Sequence, residues 1–235
     1  MQTSFKTIKK ENIFKAALIL VTFLFLTASG ILFKQSFLRM IPLYISLIVG
    51  LLQSNVNRYA PLIGGINSII YAAVFLYYHL YASAASALFM SCPLQLITFV
   101  LWNKKPWGNS TVLKKLSAGK RALLIAGSVL AWILICFFLS ETDSSFRELD
   151  TAVTVLGTVS TVLTMLSYYE YTATMLLGGV GSILLYAVML KETPEQVTYL
   201  GYSIYSFVCT CMAFVKVHSL YAEQQKANNK KTESK

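Results

Sequence analysis

A chain of 235 residues that is 56% hydrophobic and only 13% charged, where an ordinary soluble domain is about 25% charged, reads as an integral membrane protein. Its mean hydropathy of +0.60 excludes a water-soluble fold, and the spans leave no room for a separate soluble domain. The formal net charge of +10 is carried mostly by three short stretches outside the apolar segments, 6–15, 104–121 and 226–235. That is the placement of cytoplasmic loops, not of a nucleic-acid-binding surface.

A bilayer core of about 30 Å needs roughly 20 apolar residues in a helix, and the sequence supplies eight such segments: 13–33, 38–54, 59–78, 82–102, 121–140, 149–168, 171–190 and 196–217. The first has Lys9, Lys10 and Lys15 at its N-terminal end and carries the small residues Ala28, Ser29 and Gly30, as a signal peptide would. Its apolar run continues to Phe33, longer than the roughly 7–15 residues of a signal core, so it is read as a retained helix. Polar residues and breakers mark the joints: Asn55, Asn57 and Arg58 after the second segment, then 103–108, 141–145 and 191–194. No segment alternates apolar and polar residues as a barrel strand does, so the spans are helices.

Loop charge orients them. The loop after the fourth span holds Lys104, Lys105, Lys114, Lys115, Lys120 and Arg121, whereas that after the fifth holds Glu141, Asp143, Glu148 and Asp150 against Arg147. The first is expected in the cytoplasm and the second outside, which puts both termini in the cytoplasm. Lys34 and Arg39 then fall on the external side and run against the rule.

Within the spans, GGINSIIYA from Gly64 to Ala72 is nearly rewritten as GGVGSILLYA from Gly178 to Ala187, at an offset of 114 residues with one residue inserted before Tyr-Ala. Extending this match predicts two parallel three-helix repeats, 38–102 and 149–217. The helix 121–140 joins them, 13–33 is an extra N-terminal helix, and 218–235 is a basic cytoplasmic tail. A single intervening span lets two odd-numbered units insert in the same orientation, and repeats of this kind are typical of carriers. The paired glycines permit close helix approach, as do Gly64 with Ser68 and Gly178 with Ser182, each four apart.

Polar groups inside spans tend to face a cavity or a partner helix. Asn67, Gln95 and Thr98 stand out in the first unit, and Ser182, Tyr202, Tyr205 and Thr210 in the second. Gln95 follows Pro93, which removes a helical hydrogen bond; an amide beside a broken turn suits a polar, uncharged ligand. Glu170 and Lys216 lie at segment ends, so no buried ionisable relay is visible and passive movement is favoured over coupled pumping. Cys92, Cys136, Cys209 and Cys211 lie in apolar segments without zinc or redox spacing, and His79 and His218 have no companion ligands. The chain offers no catalytic constellation. An enzyme, a metal and a cofactor are therefore not expected.

The stretch IIYAAVFLYYHLYASAASALFMSCPLQLITFVLW, Ile69 to Trp102, with its Tyr-Ala, Leu-Tyr, Pro-x-Gln and final Trp, resembles the PnuC family of vitamin transporters. So does LDTAVTVLGTVSTVLTMLSYYEYTATMLLGGVGSILLYAVML in the second unit, and the resemblance covers most of 40–217. It implies an all-α polytopic membrane fold, similar to that of the SWEET sugar transporters, in the plasma membrane. It also implies assembly as a homotrimer and facilitated diffusion of nicotinamide riboside trapped by intracellular phosphorylation. Relatives carry thiamine, riboflavin or deoxynucleosides. The second half departs from the pattern. Where nicotinamide riboside carriers have two Trp and an Asn after the residue matching Glu170, this chain has Thr172, Met175 and Gly179; where they have an Asn and a Tyr in the last span, it has residues near Cys209 and Met212. A diverged, non-transporting membrane protein is the competing expectation. Gln95 is carried over from the family, and the candidate substrate-binding set is Gln95, Asn67, Thr98, Met175, Gly179, Ser182 and Tyr205.

Overall fold

The computed structural model describes residues 2–77, 87–138, 140 and 146–233; His79, Glu141 and Asp143 lie outside them. Eight α-helices are present among the described residues: α1 (Gln2–Leu32), α2 (Phe37–Ser54), α3 (Ala60–Tyr77), α4 (Cys92–Lys104), α5 (Ala118–Phe138), α6 (Arg147–Met165), α7 (Tyr171–Met189) and α8 (Val197–Glu233). A short π-helical turn, Ala87–Ser91, leads into α4, and the two-residue strands β1 (Pro106–Trp107) and β2 (Ser110–Thr111) pair antiparallel in the loop after it. The fold is all-α and polytopic.

Five of the helical segments are long and apolar enough to cross a bilayer on their own, and Ala60–Val74 is a shorter apolar helix. The eight segments expected from sequence and these five differ for physical reasons. The described part of α4 has only 13 residues, and α6 dilutes its hydropathy with Thr154, Thr158, Ser160, Thr161 and Thr164, side chains that a helix can carry when one face borders a polar cavity. Beyond the expected end at 217, α8 continues to Glu233. Lys34, Val56 and Ser167 follow the ends of α1, α2 and α6 with φ of 50°, 53° and 61°. This left-handed cap usually falls to glycine, and Val56 adopts it while buried in a packed cluster.

Packing follows a ring. α2 lies against α3, α3 against α4, α4 against α6, α6 against α7, α7 against α8, and α8 closes on α2. Outside the ring, α1 packs on α8 and α2, and α5 packs along α6. One apolar cluster joins α1, α2 and α8 through Leu26, Met40, Leu43, Leu47, Tyr205 and Cys209. The other gathers Val56, Trp102, Leu113, Leu116, Leu163, Tyr171, Val217 and Leu220 at the end of the bundle that carries the basic loop.

That end is tied by polar contacts. Gln224, 3% exposed on the extension of α8, accepts from Leu113 N at 2.9 Å and donates to Thr111 O at 2.9 Å. Arg58 N donates to Asn109 O. Lys114 exchanges backbone hydrogen bonds with Ser167 and Tyr169. Arg121, at the start of α5, reaches Glu170 Oε1 at 2.8 Å, and Leu116 N donates to the same oxygen.

Candidate functional site

The ring encloses a cavity of about 260 Å³ to which all six of its helices contribute. Ser46, Val49 and Gln53 enter from α2, and Pro61, Gly64, Asn67, Ser68 and Tyr71 from α3. The opposite side is built by Ser160, Thr161 and Thr164 of α6, with Gln95 and Thr98 of α4, Met175 of α7 and Tyr202 of α8 completing the wall. Among the described residues no charged side chain lines it.

The hydroxyls have a common arrangement. Thr161 Oγ1 donates to Gly157 O at 2.8 Å, Thr164 Oγ1 to Ser160 O at 2.7 Å and Thr98 Oγ1 to Leu94 O at 2.7 Å, each on its own helix. Such back-bonding uses the single hydroxyl hydrogen and leaves the oxygen lone pairs for other partners. On its α4 and α6 side the wall is therefore rich in acceptors and poor in free donors. Its chemistry suits a molecule that brings N–H or O–H groups, and offers nothing to neutralise an anion.

Gln95 stands one turn into α4, past the π-helical turn and Pro93. Its Nε2 donates to Ser68 Oγ at 3.2 Å, and Ser68 Oγ donates to Gly64 O at 3.0 Å. The amide oxygen lies against Gly64 so closely that a Cβ there would overlap it. Asn67 Nδ2 donates to Ser46 Oγ and to Pro42 O.

Of the residues expected from sequence, Gln95, Asn67, Thr98 and Met175 come together on this wall. Three others lie elsewhere. Gly179 faces Phe207, whose Cδ2 would stand 2.9 Å from a Cβ; the Ser182 hydroxyl donates to Gly178 O at 2.9 Å; Tyr205, 2% exposed, turns its hydroxyl to Leu47 O in the seam between α8 and α2. Thr172 is fully buried and donates to Tyr169 O. Ser46, Gln53, Tyr71, Ser160, Thr161 and Thr164 were not anticipated. The hydroxyl spacing on one face of α6 was the available signal for the last three.

A small void of about 40 Å³ continues from the cavity toward the basic end, sharing Gln53, Pro61, Thr164 and Met175 with it and ending at Val56, Trp102 and Tyr171. Trp102 and Tyr171 lie 6.5 Å apart between ring centroids, and Trp102 Nε1 donates to Thr164 O at 2.8 Å. This pair bounds the void on that side.

Comparison with known proteins matches residues 36–218 to the family model described as Nicotinamide mononucleotide transporter. No curated protein matches the chain. Among solved structures, the one titled "Crystal structure of the Vitamin B3 transporter PnuC" is similar with a TM-score of 0.71 and 20% identity, over 89% of this chain and 92% of that one. At that identity the likeness is one of fold.

Proposed function

Because the chain belongs to the nicotinamide mononucleotide transporter family, and is thus a multi-pass membrane transporter, we propose that it carries a nucleoside-type vitamin, nicotinamide riboside first, by facilitated diffusion into the cytoplasm. Phosphorylation inside the cell traps the cargo. The observation that carries this reading is the uncharged, acceptor-rich wall around a cavity of about 260 Å³, near the lower edge of the roughly 300–1,000 Å³ usual for small-molecule sites. A riboside brings hydroxyl and carboxamide donors that match such a wall. A nucleotide brings a phosphate, which calls for Arg, Lys or a helix N-terminus, and the wall supplies none among the described residues.

Tyr71 and Tyr202 offer aromatic surface beside the cavity, where a pyridinium ring gains from a ring face. Met175 and Thr172 stand where related riboside carriers have tryptophans, which favours a second reading, thiamine, riboflavin or a deoxynucleoside, for the same site. The repeats 38–102 and 149–217 would rock about the seams α2–α8 and α4–α6, exposing the cavity to each side in turn.

Purified protein is tested by thermal stabilisation with nicotinamide riboside, its 5′-phosphate, thiamine, riboflavin and deoxynucleosides, and by uptake into proteoliposomes. The riboside should raise the melting temperature by mass action and enter saturably, while the phosphate does neither. Gln95→Ala should weaken binding about tenfold with the fold retained. Stabilisation by no compound, or uptake untouched by Gln95→Ala, overturns the reading or the site respectively.

A further inference from the structure

Gln53 stands at a junction. It ends the stripe Ser46, Val49, Gln53 that α2 turns to the cavity; the first two are buried, whereas Gln53 is exposed. Four residues line both the cavity and the small void beyond it: Gln53, Pro61, Thr164 and Met175. They fall into two matching pairs. Gln53 and Thr164 stand three residues before the left-handed caps Val56 and Ser167, and Pro61 and Met175 stand three residues before Gly64 and Gly178, the first glycines of the repeated motif. The junction is therefore built from corresponding positions of the two motif-bearing halves.

The pairs match in place and differ in chemistry. The side chains of Pro61 and Met175 have no donor, and the Thr164 hydroxyl gives its hydrogen to Ser160 O at 2.7 Å. Elsewhere on the wall the amide nitrogens of Asn67 and Gln95 donate to Pro42, Ser46 and Ser68. The Gln53 amide has no hydrogen-bond partner among the described residues, so both of its N–H groups are free. The hydroxyl oxygens of α4 and α6 serve the donors of a cargo. A carbonyl oxygen or ring nitrogen of the cargo can only accept, and once out of water it needs a donor.

We infer that Gln53 is a specificity-determining residue: its Nε2 donates to an acceptor-only atom on the ring portion of the cargo, which on nicotinamide riboside is the carboxamide oxygen. This rests on the transport reading above. A cargo without that acceptor is held more weakly, whatever hydroxyls its sugar carries.

Equilibrium binding to the purified full chain is measured for nicotinamide riboside and two analogues: 3-acetylpyridine riboside, which keeps the carbonyl and lacks the amide N–H, and pyridine riboside, which lacks both. Gln53→Met, similar in length and without a donor, should weaken the first two about tenfold. Pyridine riboside should bind the unaltered protein about tenfold more weakly than nicotinamide riboside and be indifferent to the substitution, the signature of a pair acting as a unit. The melting temperature of the ligand-free protein should stay the same, because the amide has no protein partner to lose. Gln53→Leu serves if Gln53→Met does not fold; a marked fall in both would show that Gln53 holds helices together, and overturns the inference. Equal weakening of all three ligands, or weakening of none, also overturns it. So does weakening of nicotinamide riboside alone, which would make Gln53 the acceptor. Each of these leaves the transport reading standing, whereas failure of all three to bind the unaltered protein overturns both.

Discussion

Gly64 has no room for a single added carbon, because the oxygen of Gln95 occupies the space a Cβ would take. Gly178, its counterpart in the second copy of the motif, meets only Leu156 Cβ at an ordinary 3.5 Å. Two residues that look equivalent in sequence thus have different duties: one seats a polar side chain of the cavity, the other eases helix packing. Gly64→Ala is expected to displace Gln95, cost about 1–3 kcal/mol through overpacking and weaken cargo binding. Gly178→Ala should leave both within about 1 kcal/mol. Thermal unfolding and ligand titration of the two variants check this, and equal effects would refute it. The need for close approach was legible in the paired glycines; the particular partner was not, since it depends on how the Gln95 side chain lies. Tyr205 and Ser182 show the same limit. A polar group within a span has to be satisfied somewhere, and only the rotation of the helix tells whether the cavity or a neighbouring backbone does it.

Among the helices, α6 lines the cavity with the same residues that make it a poor span by hydropathy. Ser160, Thr161 and Thr164 face the cavity with their hydrogens already given to their own helix. Replacing Thr161 and Thr164 by the near-isosteric Val should then keep the fold, with little change in melting temperature, and reduce cargo affinity several-fold through the loss of acceptors. A large drop in stability would show instead that the hydroxyls hold helices together. The long α8 has a different task, since Gln224 bonds both to Leu113 N and to Thr111 O. Gln224→Ala should speed amide exchange in the loop around β2 while leaving the bundle unchanged. Apolar periodicity gave α8 an end at 217 because the lipid-facing pattern stops there; a helix held by side-chain contacts to a loop continues with no such pattern.

For the molecule as a whole, the six-helix ring repeats its contacts in order, α2–α3–α4 then α6–α7–α8, and joins at both ends. Much of this was readable, because a duplicated motif and an odd helix count together require one intervening span. Less readable was where the two halves meet, which the seams α2–α8 and α4–α6 supply. Orientation rests on loop charge: with Lys114, Lys115 and Lys120 at one end, Lys226→Cys is expected to react with a membrane-impermeant thiol reagent only from the cytoplasmic side, and Glu192→Cys only from outside. The reverse pattern would invert the assignment of both termini.

The helix that links the halves touches the bundle along α6, and among the described residues none of its side chains is buried. Past Arg121, which is tied to Glu170, what the fold asks of it within one copy is length and oiliness more than any given residue. Random mutagenesis should find α5 the most permissive stretch of the membrane domain, open to almost any apolar replacement, and therefore the natural place to graft a label or splice two proteins without disturbing the passage they enclose.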